Sequence, residues 1–516
     1  MGSNYSKIFY RDYEKLLSEK EALKEKHQGA REEIKRLQRV YELERKEKER
    51  YQARAAELEK ETEALKKEVA RLHGLLNLDG TNSGTPTSQT PINKKKVIPN
   101  TREKSGKKRG GQPGHPKSKL KAFREEEITE EAVHGYTCCP ECGGELVKEG
   151  ERCKDELDYE VVVIKRRHRF QSYRCKKCHK QISYPIPKRL KEENQYGPQT
   201  QALALSLTNV GNVPMNKVKR VICGLSQGDV YPTDGYIAKL QKRAALALAS
   251  FKTELIKRCL SLKVVHWDDT VIFVSEKRAC LRFYGDEKIA LYFAHLHKDK
   301  AGLDEDNILP LLSEDTYVMH DHLVVNYNDD YSFQNIECNQ HLLRDLQKVT
   351  DNLQRDWSAK LKTHIQQAIH DRNAAVNRGE SAFPFPYVEA FMSTFNQLMI
   401  AANKEHETHQ ALYFYSEEAA LITRLLEYKN NYFAWLSCFD LPVTNNLSER
   451  SLRGVKTHMK VSGQFQSEEY AQYYATILSY IETCRRNSLN EMTALSRLCM
   501  GNPYSVADIL DRSNAE

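Results

Sequence analysis

LKVVHWDDTVIFV, residues 262–274, sets two adjacent acids between runs of β-branched and aromatic side chains. Such runs favour extended backbone, so the stretch reads as a strand, a turn-like Asp268-Asp269-Thr270 and a second strand. ACLRFYG (279–285) and IALYFAHL (289–296) supply two more strands. Helical character follows over residues 304–312, and TYVMHD (316–321) is a short strand ending at Asp321. IECNQHLLRDL (336–346) reads as a last strand passing into a helix.

With residues 262–274 counted once, three antiparallel strands, a helix, a fourth strand and a fifth are the order of a ribonuclease-H-like α/β core. That fold carries one acid on its first strand, one at the end of its fourth and one on a later helix. Asp268, Asp321 and Glu449 fit those places. Glu449 lies in TNNLSERSLRG (444–454), where helical spacing would set Asn446, Glu449, Arg450 and Arg453 on one face. Such a face cannot be core unless each group finds a partner. Lys456 and Lys460 extend it. Taken alone it would be an ordinary salt-bridged surface helix; the other two acids make it a candidate site, with Glu449 toward the chemistry and the amide and cations toward DNA. His341 and Arg344, three residues apart, are candidates to orient a phosphate or donate a proton.

Residues 13–76 carry apolar positions at alternating steps of four and three from Leu16 through Leu23, Ile34, Leu37, Leu58, Leu65 and Leu72, separated mostly by Glu, Lys and Arg. That register predicts a coiled coil, interrupted midway by Glu44 and Lys48, and with it a homo-oligomer. TNSGTPTSQTP (81–91) is linker. Residues 94–124 hold twelve Lys/Arg against one Glu, more than the whole chain's net +8, so the basicity belongs to one arm. Lys107, Lys108 and Arg109 in that arm are the footprint of a phosphate-backbone binder.

Cys139-Pro-Glu-Cys142 and Cys175-Lys-Lys-Cys178 are paired knuckles whose four thiolates could close one structural zinc site. YEVVVIKRRHRFQSYRC (159–175) between them reads as a β-strand of a zinc ribbon, with Arg166 and Arg167 as DNA contacts. Helices over residues 197–250 are open between a helix-turn-helix and plain scaffold. The resulting plan is multidomain α+β: coiled coil 1–78, basic arm 79–125, zinc ribbon 126–190, helical and candidate DNA-binding region 191–260, core 261–345, helical insertion 346–440, second part of the core 441–490 and C-terminal tail 491–516. No stretch reaches eighteen apolar residues and MGSNYSKIFY is no signal-peptide core, which excludes a helical membrane protein and predicts an intracellular one. Most of the thirteen cysteines are scattered singly, as reduced buried thiols are.

The heptads, GKKRGGQPGHP, the knuckles, DDT, CNQHLLRDL and TNNLSERSLRG…SYIET occur in an order that resembles transposases of the insertion sequence 66 family. Where that family has Asp-Glu-Thr, Asp-Asn-Asn and Cys-Trp-Ala-His, this chain has Asp268-Asp269-Thr270, Thr444-Asn445-Asn446 and Cys338-Asn339-Gln340-His341. An Arg-Lys pair of the family is Met459-Lys460 here. The resemblance implies an Asp-Asp-Glu enzyme of a bacterial mobile element, nucleoid-associated, with terminal inverted repeats and target DNA as substrates and small accessory proteins as further partners. It implies two catalytic Mg²⁺, with Mn²⁺ as a substitute, held by Asp268, Asp321 and Glu449. Two other classes fit the same features: an inactive DNA-binding regulator, and a metal-dependent nuclease that does not join strands.

Overall fold

A computed structural model describes residues 3–76, 123–150, 152–190, 192–408 and 414–511. The arm residues Lys107, Lys108 and Arg109 lie outside them. Two compact units emerge, one comprising Met1–Ile98, Arg344–Thr363 and Ser393–Glu427, the other Pro99–Leu343, His364–Met392 and Tyr428–Glu516.

The first unit begins with α1 (Ser3–Leu76), a single helix of 74 residues. Its charges pair at helical spacing, as in Glu33–Arg36, Arg45–Glu49 and Arg54–Glu57. Such exposed pairs add only a few tenths of a kcal/mol each. Leu16, Leu23, Ile34, Leu37, Leu58 and Leu65 all stand in solvent, so the heptad seam is an apolar stripe uncovered in the single chain. The other segments of this unit are held by a buried carboxylate. Glu418 accepts from Arg355 at 2.9 and 3.1 Å and from Trp357 Nε1 at 2.9 Å, with His406 2.8 Å away.

In the second unit, β1 (Ser172–Arg174) and β2 (Gln181–Ser183) form a small antiparallel hairpin, Tyr173 opposite Ile182. The long strand expected over residues 159–175 is reduced to the three residues of β1. Among the described residues the rest has no partner strand and is almost wholly exposed, so no ladder holds it.

Four helices follow: α2 (Pro198–Asn209), α3 (Met215–Leu225), α4 (Asp234–Ala247) and α5 (Ala249–Leu260). The sheet comprises β3 (Val264–Val274), β4 (Lys277–Gly285), β5 (Ala290–His295), β6 (Tyr317–His320) and β7 (Gln334–Glu337), in the order β5-β4-β3-β6-β7. β4 runs antiparallel to both neighbours, whereas β3, β6 and β7 pair in parallel. α6 (Lys300–Glu305) and a 3₁₀ turn at Leu309–Leu311 take the place of the helix expected over 304–312.

Asp268-Asp269-Thr270 is not a turn. β3 runs straight through it, pairing from His266↔Gly285 to Val274↔Lys277, and the chain reverses instead at Ser275-Glu276, both at positive φ. Two residues in that conformation match the twist of a tight hairpin. A pair of acids is a poor strand former in isolation, but nine ladder pairs with β4 outweigh it.

The helices α7 (Asn339–Leu353), α8 (Asp356–Asn377), α9 (Phe385–Thr408), α10 (Tyr415–Glu427) and α11 (Lys429–Phe433) fall between β7 and α12 (Asn446–Ser462). Leu452 and Val455 of α12 bury against Ile272, Leu281, Phe283 and Tyr292 on one face of the sheet. α13 (Glu468–Arg486) is buried on nearly every side, sharing that core through Tyr474 and Leu478 and a larger one through Ile477 and Tyr480. The larger core holds Trp267 and Tyr284 of the opposite sheet face with Leu205, Ile237 and Leu255. The stretch 491–516 is not a tail throughout: α14 (Glu491–Met500) and α15 (Val506–Leu510) bury Leu495, Leu498, Val506 and Ile509 in this core.

Candidate active site

Side chains alternate across a strand, so Asp268 and Asp269 face opposite ways. Asp268 shares the α12 face with Ile272, while Asp269 shares the other with Trp267 and is held by Lys298 at 2.8 Å. The parallel register pairs His266 with Met319, and two residues further along both strands come Asp268 and Asp321. The two carboxyls therefore meet at the same end of the sheet. Burial, then the charge of Asp321, then that of Asp269 push the Asp268 carboxyl up to about 8, against the pull of the Asp269 N–H and Lys456.

His341, in the first turn of α7, stands between the acids. Its Nδ1 is 3.0 Å from Asp321 Oδ1 and its Nε2 is 3.8 Å from Glu449 Oε1. Burial works against its charge, but Asp321 and Cys338 outweigh this and raise the imidazole to about 11. Burial would raise Asp321 in turn; contacts with His341, His320 and Asn445 bring it net below the usual carboxylate range.

Asn445 is the residue that sequence reasoning missed as part of the site. Asn445 is fully buried. Its Nδ2 donates to the carbonyl of Trp267 at 2.9 Å, its Oδ1 accepts from Ser448 at 2.8 Å and lies 3.2 Å from His266 Nδ1, and its N–H donates to Cys338 Sγ at 3.1 Å. The side chain thus ties the strand of Asp268 to the start of the Glu449 helix, and the backbone N–H adds Cys338, the residue after β7. Asn446, the neighbour chosen from the sequence, is exposed instead.

Along α12, Glu449 is half-buried, and Arg450, Arg453, Lys456 and Lys460 line the exposed side. Arg450 pairs with Glu287 at 3.4 Å. Lys456 is near enough to act on Asp268. His341 thus lies between Asp321 and Glu449, with Asp268 beside Asp321, whereas Arg166 and Arg167 lie exposed in the segment before β1. Among the described residues, the group of three or more donors whose ligand atoms all lie within 4.8 Å is Asp321, Cys338 and His341.

The knuckles close as tight turns. The Cys139 N–H donates to Gly144 O at 2.9 Å and the Cys175 N–H to Lys180 O at 2.9 Å. The N–H groups of Glu141 and Cys142 hold the Cys139 thiol below its ordinary value, as those of Cys178 and Lys177 do for Cys175. Each turn suits half of a zinc site, although the four sulfurs do not form one cluster within 4.8 Å among the described residues.

Compared with known protein families, residues 193–473 match the Transposase IS66 family. The chain belongs to the IS66 family of transposases. Transposition is a phosphoryl transfer on DNA, and family membership implies both DNA and a divalent metal for this transposase. No curated protein matches the chain. No helix of the described residues is long and apolar enough to cross a membrane.

Proposed function

We propose that this transposase binds the ends of its element and carries out metal-dependent cleavage and strand transfer with Asp268, Asp321 and Glu449. The observation that carries this reading is the meeting of Asp268 and Asp321 at one end of paired parallel strands, with His341 linking Asp321 to Glu449. The sheet order and the single antiparallel strand inside it support a ribonuclease-H-like core, with the helices between β7 and α12 as its insertion.

Oxygen donors from separate segments are what magnesium takes, and these three acids offer them. Two bound Mg²⁺ would supply Lewis-acid stabilisation to the attacking and leaving oxygens of an in-line displacement. The chain's own part is positional. Asn445 fixes the backbone from which Asp268 and Glu449 project. Lys456, Arg450 and Arg453 present cations beside the acids, where a DNA phosphate would sit. His341 neutralises the carboxylates it lies between and can hold a proton there. Arg344, three residues on, is the candidate second donor.

Around this centre, the uncovered α1 stripe is the proposed dimer or higher-order seam. The knuckles are the proposed single structural zinc site, and Arg166, Arg167, Asn446 and Lys460 supply further DNA contacts. Strand transfer of a labelled terminal-repeat oligonucleotide into plasmid tests the whole reading. Joined product that vanishes in Glu449→Gln supports it. Cleavage without joining would make the protein a nuclease, and binding without cleavage a regulator.

A further inference from the structure

Asp321, Cys338 and His341 offer a carboxylate, a thiol and an imidazole, with one donor atom of each within 4.8 Å of the others. Two of these donors are paired with each other. Asp321 Oδ1 and His341 Nδ1 are buried atoms 3.0 Å apart, and neither makes an aligned hydrogen bond. This poorly aligned imidazolium–carboxylate pair aims both donor atoms at common space, which a metal ion would take in place of the shared proton. The donor set is wrong for magnesium, which takes oxygen, and right for a zinc-class ion, which takes sulfur, nitrogen and carboxylate oxygen together.

The surroundings are those of a ligand shell. The Asn445 N–H donates to Cys338 Sγ at 3.1 Å, and His341 Nε2 faces Glu449 Oε1 at 3.8 Å. Metal-bound histidines commonly direct their second nitrogen at a carboxylate, and bound sulfurs are flanked by donors. Zinc distances of about 2.0–2.3 Å set ligand atoms roughly 3.3–3.8 Å apart, so closure needs a shift on the order of 1 Å. Asp321 and His341 are both partly open to solvent, which leaves an entry path and a fourth position for water.

We infer that Asp321, Cys338 and His341 form a second, three-ligand site for a zinc-class transition metal, distinct in chemistry from both the knuckles and the magnesium reading. Occupation releases the Cys338 thiol proton and the His341 Nδ1 proton to solvent and commits Asp321, so a bound zinc-class ion competes with catalytic magnesium. The site itself does not depend on the catalytic proposal, because its test reads metal–sulfur bonding.

The test uses the full chain with Cys138, Cys139, Cys142, Cys153, Cys175 and Cys178 all changed to Ser, which removes the knuckle thiols. Titrated with Co²⁺, this protein should bind about one equivalent with intense near-ultraviolet thiolate-to-cobalt absorption and the visible bands of a four-coordinate site. Adding Cys338→Ser should abolish the near-ultraviolet band. Persistence of the band after Cys338→Ser, or its absence before, overturns the inference. Zinc X-ray absorption on the six-serine protein guards against misfolding of the Cys338 variant: one sulfur with nitrogen and oxygen neighbours supports the site, and a shell without sulfur overturns it.

Discussion

Asp269 touches the cation of Lys298, and Asp268 faces the other acids; the difference between them is a single step of strand alternation. Asp268→Asn should therefore reduce strand transfer to background with DNA binding kept, as Glu449→Gln should. Asp269→Asn forfeits only an ion pair between a nearly buried carboxylate and a half-exposed lysine, which costs about 1–3 kcal/mol of stability. Parallel gel assays of binding and joining would decide it, and a dead Asp269→Asn beside an active Asp268→Asn would reverse the assignment. Asn445→Ala removes hydrogen bonds from a fully buried amide, which should lower stability by about 1–3 kcal/mol in urea unfolding. Joining should fall further than that destabilisation explains, since Asn445 holds the backbone beside Asp268 and Glu449. The two aspartates were legible in the sequence because charged residues stand out against apolar strand runs. Asn445 was not, because its part depends on long-range partners such as Trp267 and Cys338 that no local pattern announces.

At the scale of elements, α12 joins an apolar face to a charged one, and His458 is the titratable group it buries. His458 stacks on Tyr474 at 4.6 Å and Phe465 at 5.2 Å, and burial lowers it to about 4. The facing groups on the loop after α12 and on α13 are these two rings, neither of which can offset a positive charge as a carboxylate would. A histidine with a depressed folded-state pKa is neutral in the fold, so its contribution is intact above pH 6.5 and is lost as pH falls toward 4. The full effect is on the order of 3 kcal/mol. His458→Phe should flatten that part of the stability profile, measured by thermal unfolding between pH 7 and 4; an unchanged slope would assign the acid sensitivity elsewhere. Most elements of the sheet were legible because strand runs bounded by turn residues are local signals. The unbroken path of β3 was not, because nine cross-strand pairs overrule the preference of two acids for a turn. The ribbon strand failed in the opposite direction, a β-rich run left without a neighbour to pair with.

For the molecule as a whole, the exposed seam of α1 predicts assembly. Deleting residues 1–78 should lower the mass seen by light scattering, and an unchanged oligomer would place assembly in the remaining chain. Replacing Lys107, Lys108 and Arg109 with Ala should weaken binding on every DNA sequence alike. The dependence of log affinity on log salt should become shallower by about 0.9 for each phosphate no longer neutralised. Weakening confined to the terminal repeat would show that the arm reads sequence.

The distance along the chain between β5 and α12 also sets a schedule. Ile272, Leu281, Phe283 and Tyr292 are buried by Leu452 and Val455 of a helix that follows β5 by about 150 residues. At ribosomal speeds of about 5–20 residues per second, a nascent chain carries that sheet face uncovered for roughly 8–30 s. For that interval the half-made protein is a sticky apolar plate. Its yield in a cell should therefore depend on chaperone supply more than its finished stability would suggest.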